Sequence, residues 1–331
     1  MTQRSLRLPR RRLVAGGAAL AGLAAMRLEA DPSEPVTIGS GYWTYTLVAG
    51  WGGPPPGMTY EWGCAVVVDS RDRVYVHTRA QKAVLVFDRN GRLLTDFGSE
   101  FAKTGHGLYH QKVGNVEFLY FADHPRNLVV KTDLNGKVLL RIGQVHEENA
   151  TNIRFPFNQP TDVAVAPNGD LYVCEGYGGD MVHRFTAEGK FIQTIGIRGS
   201  GPGQFRVPHG IWVDTRREEP EIYVADRANR RIQVFTPHGT LKRIVTDGIR
   251  NPCCFYPYRG KMFVPDLDQV VTILDEQDRV VAHLGDGRAD RNPHAFSRPH
   301  ALTIDSHGDL YVVEWVPDAR LRKFRHTPRR T

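Results

Sequence analysis

Short β-type runs recur along this chain about every 40–50 residues, a period that restricts it to arrays in which each unit buries its apolar face against the next. The clearest copy reads Gly201-Pro-Gly-Gln-Phe205, Val207-Pro-His-Gly-Ile-Trp-Val-Asp214, Glu221-Ile-Tyr-Val-Ala-Asp226 and Arg231-Ile-Gln-Val-Phe235. Each run is bounded by Gly, Pro, Asp or Asn, the residues that end strands and make turns. Equivalent copies begin near Gly63, His106, Pro160, Pro252 and Pro299. Their second strands run Val74-Tyr-Val-His77, Leu119-Tyr-Phe-Ala-Asp123, Leu171-Tyr-Val-Cys-Glu175, Met262-Phe-Val-Pro-Asp266 and Leu310-Tyr-Val-Val-Glu314. Beyond residue 30 no long helical periodicity competes with these runs, so the chain reads as all-β.

The outer strands set the number of units. Apolar alternation ending in glycine marks a fourth strand at 93–98, 138–143, 191–196 and 280–285, with a looser one at 241–246. The last repeat stops after Leu321-Arg-Lys-Phe324 and has none. A spare copy lies at the other end, in Tyr45-Thr-Leu-Val-Ala-Gly-Trp-Gly52. Supplying that strand to the last repeat would pair both edges and fasten a ring. The expectation is a six-bladed β-propeller over residues 31–331, closed by an N-terminal strand.

The net charge of +7 is unevenly placed. Residues 1–30 hold six arginines and one acid, which leaves 37 basic and 35 acidic residues in the rest. So balanced a body gives no electrostatic case for nucleic acid. Arg10-Arg11-Arg12 precedes an apolar, Ala- and Gly-rich run to Met26 that is short for a membrane span. The segment therefore reads as an export signal of twin-arginine (Tat-like) character, although Pro9 stands where a Ser is usual. A periplasmic or secreted monomer follows, with no membrane contact beyond the signal. The four cysteines, Cys64, Cys174, Cys253 and Cys254, have no zinc-knuckle or redox spacing.

Aligning the first strand of each blade on its terminal acid (Asp69, Asp214 and Asp305 in three of them) gives six equivalent positions: Cys64, His106, Thr161, His209, Cys253 and His300. First strands line the channel of a propeller, so histidines on alternate blades would converge on the axis. Three neutral imidazoles with an open fourth position form a common catalytic zinc site, and the lack of acids disfavours a hard-cation site. A Pro-His pair can also simply open a strand with its imidazole bonded to backbone.

These repeats resemble NHL repeats over nearly all of residues 45–326. Gln159-Pro-Thr-Asp-Val-Ala-Val165, Glu175-Gly-Tyr177, Gly203-Gln-Phe205 and Val207-Pro-His209 further resemble the catalytic core of the peptidyl-α-hydroxyglycine α-amidating lyases. The resemblance implies zinc on His106, His209 and His300, Tyr177 as general base, and Arg79 on the substrate carboxylate. It also implies a structural Ca2+ on the carbonyls of Val66 and Leu108 and on an Asp after the third histidine. That last position is Ala301, which weakens the calcium site, although Asp162 stands at the corresponding offset in blade three. A family methionine is Arg298 here, and a family disulfide would fall on Asn158 and Gly178.

The reaction implied is cleavage of an α-hydroxyglycine-like N–C bond to an amide and glyoxylate, with a small-molecule or peptide substrate entering the central channel. A non-catalytic propeller that binds a protein, peptide or glycan is the alternative, since one fold hosts unrelated functions. A calcium-dependent lactonase would need Glu, Asp and Asn in the channel rather than histidines. The acids at Asp226-Arg227, Asp123-His124 and Glu314-Trp315 read as turn caps, and Arg320 to Arg330 as a solvated tail.

Overall fold

Tyr75, Tyr120, Tyr172, Tyr223, Phe263 and Tyr311 occupy the same position in six second strands, and each is at most 2% exposed. One large aromatic ring at a fixed place in each unit is what lets six sheets pack face to face around an axis. The computed structural model describes residues 35–143, 151–287 and 296–329. Among them there is no α-helix, only three single-turn 3-10 segments. The chain is a six-bladed β-propeller.

Blade one comprises Gly63–Val68, Val74–Thr78, Val84–Phe87 and Leu93–Phe97. Blade two comprises Gly105–Val113, Val116–Asp123, Leu128–Asp133 and Val138–Gly143, and blade three Asp162–Val165, Leu171–Glu175, Met181–Phe185 and Phe191–Ile195. Blade four is built from Pro208–Asp214, Glu221–Asp226, Arg231–Phe235 and Leu241–Val245. Tyr256–Tyr258, Lys261–Asp266, Val270–Leu274 and Val280–Leu284 make blade five. Pro299–Ile304, Leu310–Glu314 and Leu321–His326 make blade six, and Tyr45–Val48 completes it.

Closure follows the sequence expectation. Tyr45–Val48 pairs antiparallel with the last strand, placing Tyr45 opposite His326 and Val48 opposite Lys323. The glycine-rich end of the expected strand turns instead of continuing. It seats Trp51 against Phe87 and Tyr311, with its indole N–H 2.8 Å from the Arg89 carbonyl. Arg89 crosses the same seam to Asp305 at 2.9 Å and Asp309 at 3.1 Å.

Among the described residues, four short strands lie outside the blades, two of them the parallel pair Ile197–Arg198 and Gln204–Phe205. Thr37–Ile38 extends the closing blade, and Thr151–Arg154 runs parallel along the outer edge of blade two. Side chains also tie neighbouring blades. The Tyr172 hydroxyl donates to the Pro237 carbonyl at 2.9 Å, and the Tyr223 hydroxyl to Asp278 at 2.7 Å. The proposed export signal, 1–30, lies outside the described residues, and among those described no helix is long and apolar enough to cross a membrane.

Candidate metal centre

Each of the three histidines sits where the first strand slips against its neighbour. Gly105 pairs with Asp123, Pro208 with Asp226 and Pro299 with Glu314, and the register shifts immediately afterwards in each case. Such a bulge re-aims the extra residue's side chain, here toward the axis. His106, His209 and His300 meet with ring centroids 4.8, 5.1 and 4.9 Å apart, and their ligating nitrogens lie within 4.8 Å of one another. All three are buried.

The other ring nitrogen of each histidine is held by the following blade. His106 Nδ1 lies 2.7 Å from the Thr161 carbonyl, His209 Nδ1 2.9 Å from that of Cys253, and His300 Nδ1 2.6 Å from that of Cys64. A carbonyl only accepts, so each Nδ1 carries the proton and each Nε2 keeps its lone pair for the axis. Backbone bonding of the imidazole therefore leaves Nε2 available to a cation and does not compete with metal binding. Burial also keeps the rings neutral, pushing His106 and His209 well below the ordinary value and His300 down to about 3. The three neutral, converging donors fit a borderline cation such as zinc. At the intervening positions Cys64 Sγ donates to the Gly105 carbonyl and Thr161 Oγ1 to that of Pro208.

Tyr177 lies against the three histidines. Its hydroxyl lies 3.0 Å from His106 Nε2 and 3.1 Å from His209 Nε2, so its single proton serves one of them at a time. Burial pushes this phenol up, and the neighbouring Arg227 guanidinium opposes that rise. Arg79 stands farther out, its guanidinium 4.8 Å above the Trp315 ring, which stacks on His300 at 5.3 Å.

Sequence reasoning treated Arg227, His124 and Trp315 as followers of turn-capping acids. The acids do cap: Asp123 accepts from Thr104 and Arg126, and Asp226 from Asn229 and Arg231. In four of the six blades, however, the residue after the second strand turns into the channel mouth. Arg79, His124, Arg227 and Trp315 hold this same position in four blades, and that repeated offset was the available signal. In blade three the position is Gly176, where a Cβ would lie 2.3 Å from the Pro208 carbonyl oxygen, and Tyr177 follows it into the mouth. Among the described residues neither Arg79 nor Arg227 has a carboxylate partner; each faces an aromatic ring and a cysteine thiol instead.

Beyond the histidines the channel holds a cavity of about 230 Å³ lined by Val66, Leu108, Asp162, Cys254, Trp212 and Ala301, among others. Asp162 is the acid on its wall, and Ala301 brings no oxygen. Cut off from bulk water, the Asp162 carboxyl is pushed up to about 7, although the backbone N–H groups of Ile211 and Val163 favour its charged form. The Asn158 and Gly178 positions do lie together: a Cβ on Gly178 would come within 2.2 Å of the Asn158 side chain. All four cysteines are free thiols.

A family model described as a 6-bladed beta-propeller matches residues 150–266. Rat peptidylglycine alpha-amidating monooxygenase is 34% identical over 259 residues, which cover 70% of this chain and 25% of that protein. A probable peptidyl-alpha-hydroxyglycine alpha-amidating lyase of Caenorhabditis elegans is 29% identical over 256 residues, covering 71% of this chain and 68% of that one. The chain thus spans a quarter of the rat protein's length and about two thirds of the nematode protein's. Among solved structures, a gluconolactonase of Xanthomonas campestris superposes with a TM-score of 0.61 at 15% identity, covering 89% of this chain and 96% of that one, a likeness of fold alone. The chain is a six-bladed β-propeller whose sequence similarity runs to proteins named as peptidyl-α-hydroxyglycine α-amidating lyases.

Proposed function

We propose that this protein is a metal-dependent carbon–nitrogen lyase that splits an α-hydroxyglycine-type carbinolamide into an amide and glyoxylate. The observation that carries the reading is the meeting of three Nε2 lone pairs with the Tyr177 hydroxyl, beside two guanidinium groups that lack a carboxylate partner among the described residues. His106, His209 and His300 would hold the metal, for which zinc is the best fit to the donor set. Such a metal acts as a Lewis acid that makes a substrate hydroxyl easier to deprotonate.

The chain's own groups then divide the work. Arg79 and Arg227 hold the carboxylate of the substrate, for which a guanidinium offers a paired donor edge. The Tyr177 hydroxyl relays the proton: its oxygen takes the one from the substrate hydroxyl as it gives its own to the departing amide nitrogen. The carbon–oxygen bond becomes a carbonyl as the carbon–nitrogen bond breaks, so the balance needs no other reactant. Packed aromatic rings (Trp62 and Trp315, with centroids 4.8 Å apart) wall one side of the mouth and keep water from it.

Export through the Tat-like signal would place this monomeric enzyme in the periplasm or outside the cell. A Ca2+ at the Val66 and Leu108 carbonyls would depend on Asp162 for its charge, since Ala301 supplies none. The departures at Ala301 and Arg298 favour, as a second reading, a propeller that binds a peptide, protein or glycan without turnover. Glyoxylate release from an α-hydroxyglycine peptide by the zinc-loaded protein, lost in Tyr177→Phe, supports the lyase. One bound metal per chain with no release across several such amides supports the second reading.

A further inference from the structure

We infer that His124 is a positioning residue that holds the Arg79 guanidinium ready for the substrate carboxylate; this rests on the lyase reading above. Arg79 Nη2 donates to His124 Nε2, and a guanidinium can only donate, so Nε2 accepts and the proton stays on Nδ1. His124 is thereby read as neutral, in keeping with burial and the Arg79 charge, which push it down to about 4. An arginine at this mouth would ordinarily swing toward any carboxylate in reach. An imidazole lone pair fixes one of its nitrogens without neutralising its charge, so the full cation remains for a ligand.

Two orphaned atoms give the arrangement its direction. Arg79 Nε and His124 Nδ1 are both buried, and neither has a hydrogen-bond partner among the described residues. Buried donors left unpaired are costly, so a protein that keeps two of them in one cluster gains something from a ligand that satisfies either. The His124 ring stands edge-on to His106 and to Tyr177, at 5.5 and 5.2 Å between centroids. It therefore lies between the reacting groups and the outer arginine. A carboxylate bound at Arg79 Nε would satisfy that donor and leave the rest of the substrate facing Tyr177.

Binding of hippurate tests this without turnover, because it carries the glycine carboxylate and the amide but no hydroxyl to react. Calorimetry on zinc-loaded protein should show His124→Ala weakening hippurate about tenfold. His124→Gln, whose amide oxygen can still accept from Arg79, should stay within about threefold of the wild type. Arg79→Ala should lose about as much as His124→Ala, and the double variant no more than either alone, the mark of two residues acting as one unit. Unchanged binding in His124→Ala, or additive losses in the double variant, would overturn the positioning role while leaving the lyase reading intact. No hippurate binding by the wild type would overturn the carboxylate site and this role with it. Coupled losses without glyoxylate release would keep the role and sink only the lyase chemistry.

Discussion

The Nδ1 of His300 lies 2.6 Å from the carbonyl oxygen of Cys64, a contact that crosses the seam between the last blade and the first. The geometry of the histidine triad and ring closure therefore depend on each other. The third histidine is aimed by a strand from the far end of the chain, and loosening the seam would release it.

Removing one donor should empty the centre. Protein purified without chelator is expected to carry one transition metal per chain, and His209→Ala to hold it about a hundredfold more weakly or worse. Elemental analysis and competition with a zinc indicator read this directly. A wild type that takes up no stoichiometric metal would remove the basis of the enzyme reading.

Tyr177→Phe separates holding the metal from doing chemistry. The phenol touches two Nε2 atoms yet is no member of the triad, so metal content should be unchanged. Glyoxylate release should fall by about 10²–10⁴, the usual worth of a positioned proton-transfer group.

Close packing behind the ligands is equally testable. A Cβ on Gly210 would lie 2.1 Å from the Cys253 carbonyl oxygen, the atom that orients His209. Gly210→Ala should therefore cost about 1–3 kcal/mol by denaturant unfolding and weaken metal binding too. Equal metal affinity in this variant would show that the Cys253 contact does not set the ligand's pose.

Tyr45 supplies a large, fully buried ring to the closing strand, with its hydroxyl unpaired. Tyr45→Ala should destabilise the fold by about 3–5 kcal/mol. Tyr45→Phe, which only removes the orphaned hydroxyl, should be neutral or up to about 1 kcal/mol more stable. Urea midpoints of the two variants would distinguish a packing role from any role of the hydroxyl.

Glu221 carries a pH signature. Burial opposes its charge, but hydrogen bonds from Arg243 and Lys242 overcome that and hold its carboxyl down to about 2, against an ordinary value near 4.5. Its folded value lies below the unfolded one, so its stabilising effect is complete above about pH 4.5 and fades as the pH falls toward 2. Glu221→Gln should be less stable at neutral pH and show a flatter stability profile between those values. Denaturation midpoints measured across that range check the sign.

Repeat period, strand alternation and outer-strand glycines made the blades legible, because each is a local preference that recurs from blade to blade. The alternate placement of His106, His209 and His300 was legible for the same reason: equivalent positions in a ring point the same way. Thr37–Ile38 and Thr151–Arg154 were not, since they add to a sheet edge outside any repeat. The mouth was half legible. Arg79 and Tyr177 came from resemblance, whereas Arg227 and His124 passed as neighbours of capping acids.

The sequence by itself thus determined the unit, the number of units and which residues could meet at the axis. Tertiary structure alone decided how they meet. Carbonyls from the next blade choose the tautomer of each histidine, and those donors and acceptors lie 44 to 236 residues apart in the chain. It also decided which arginines keep a free charge, because a guanidinium's partner is set by what the closed ring brings beside it. Local sequence carries no record of such long-range neighbours.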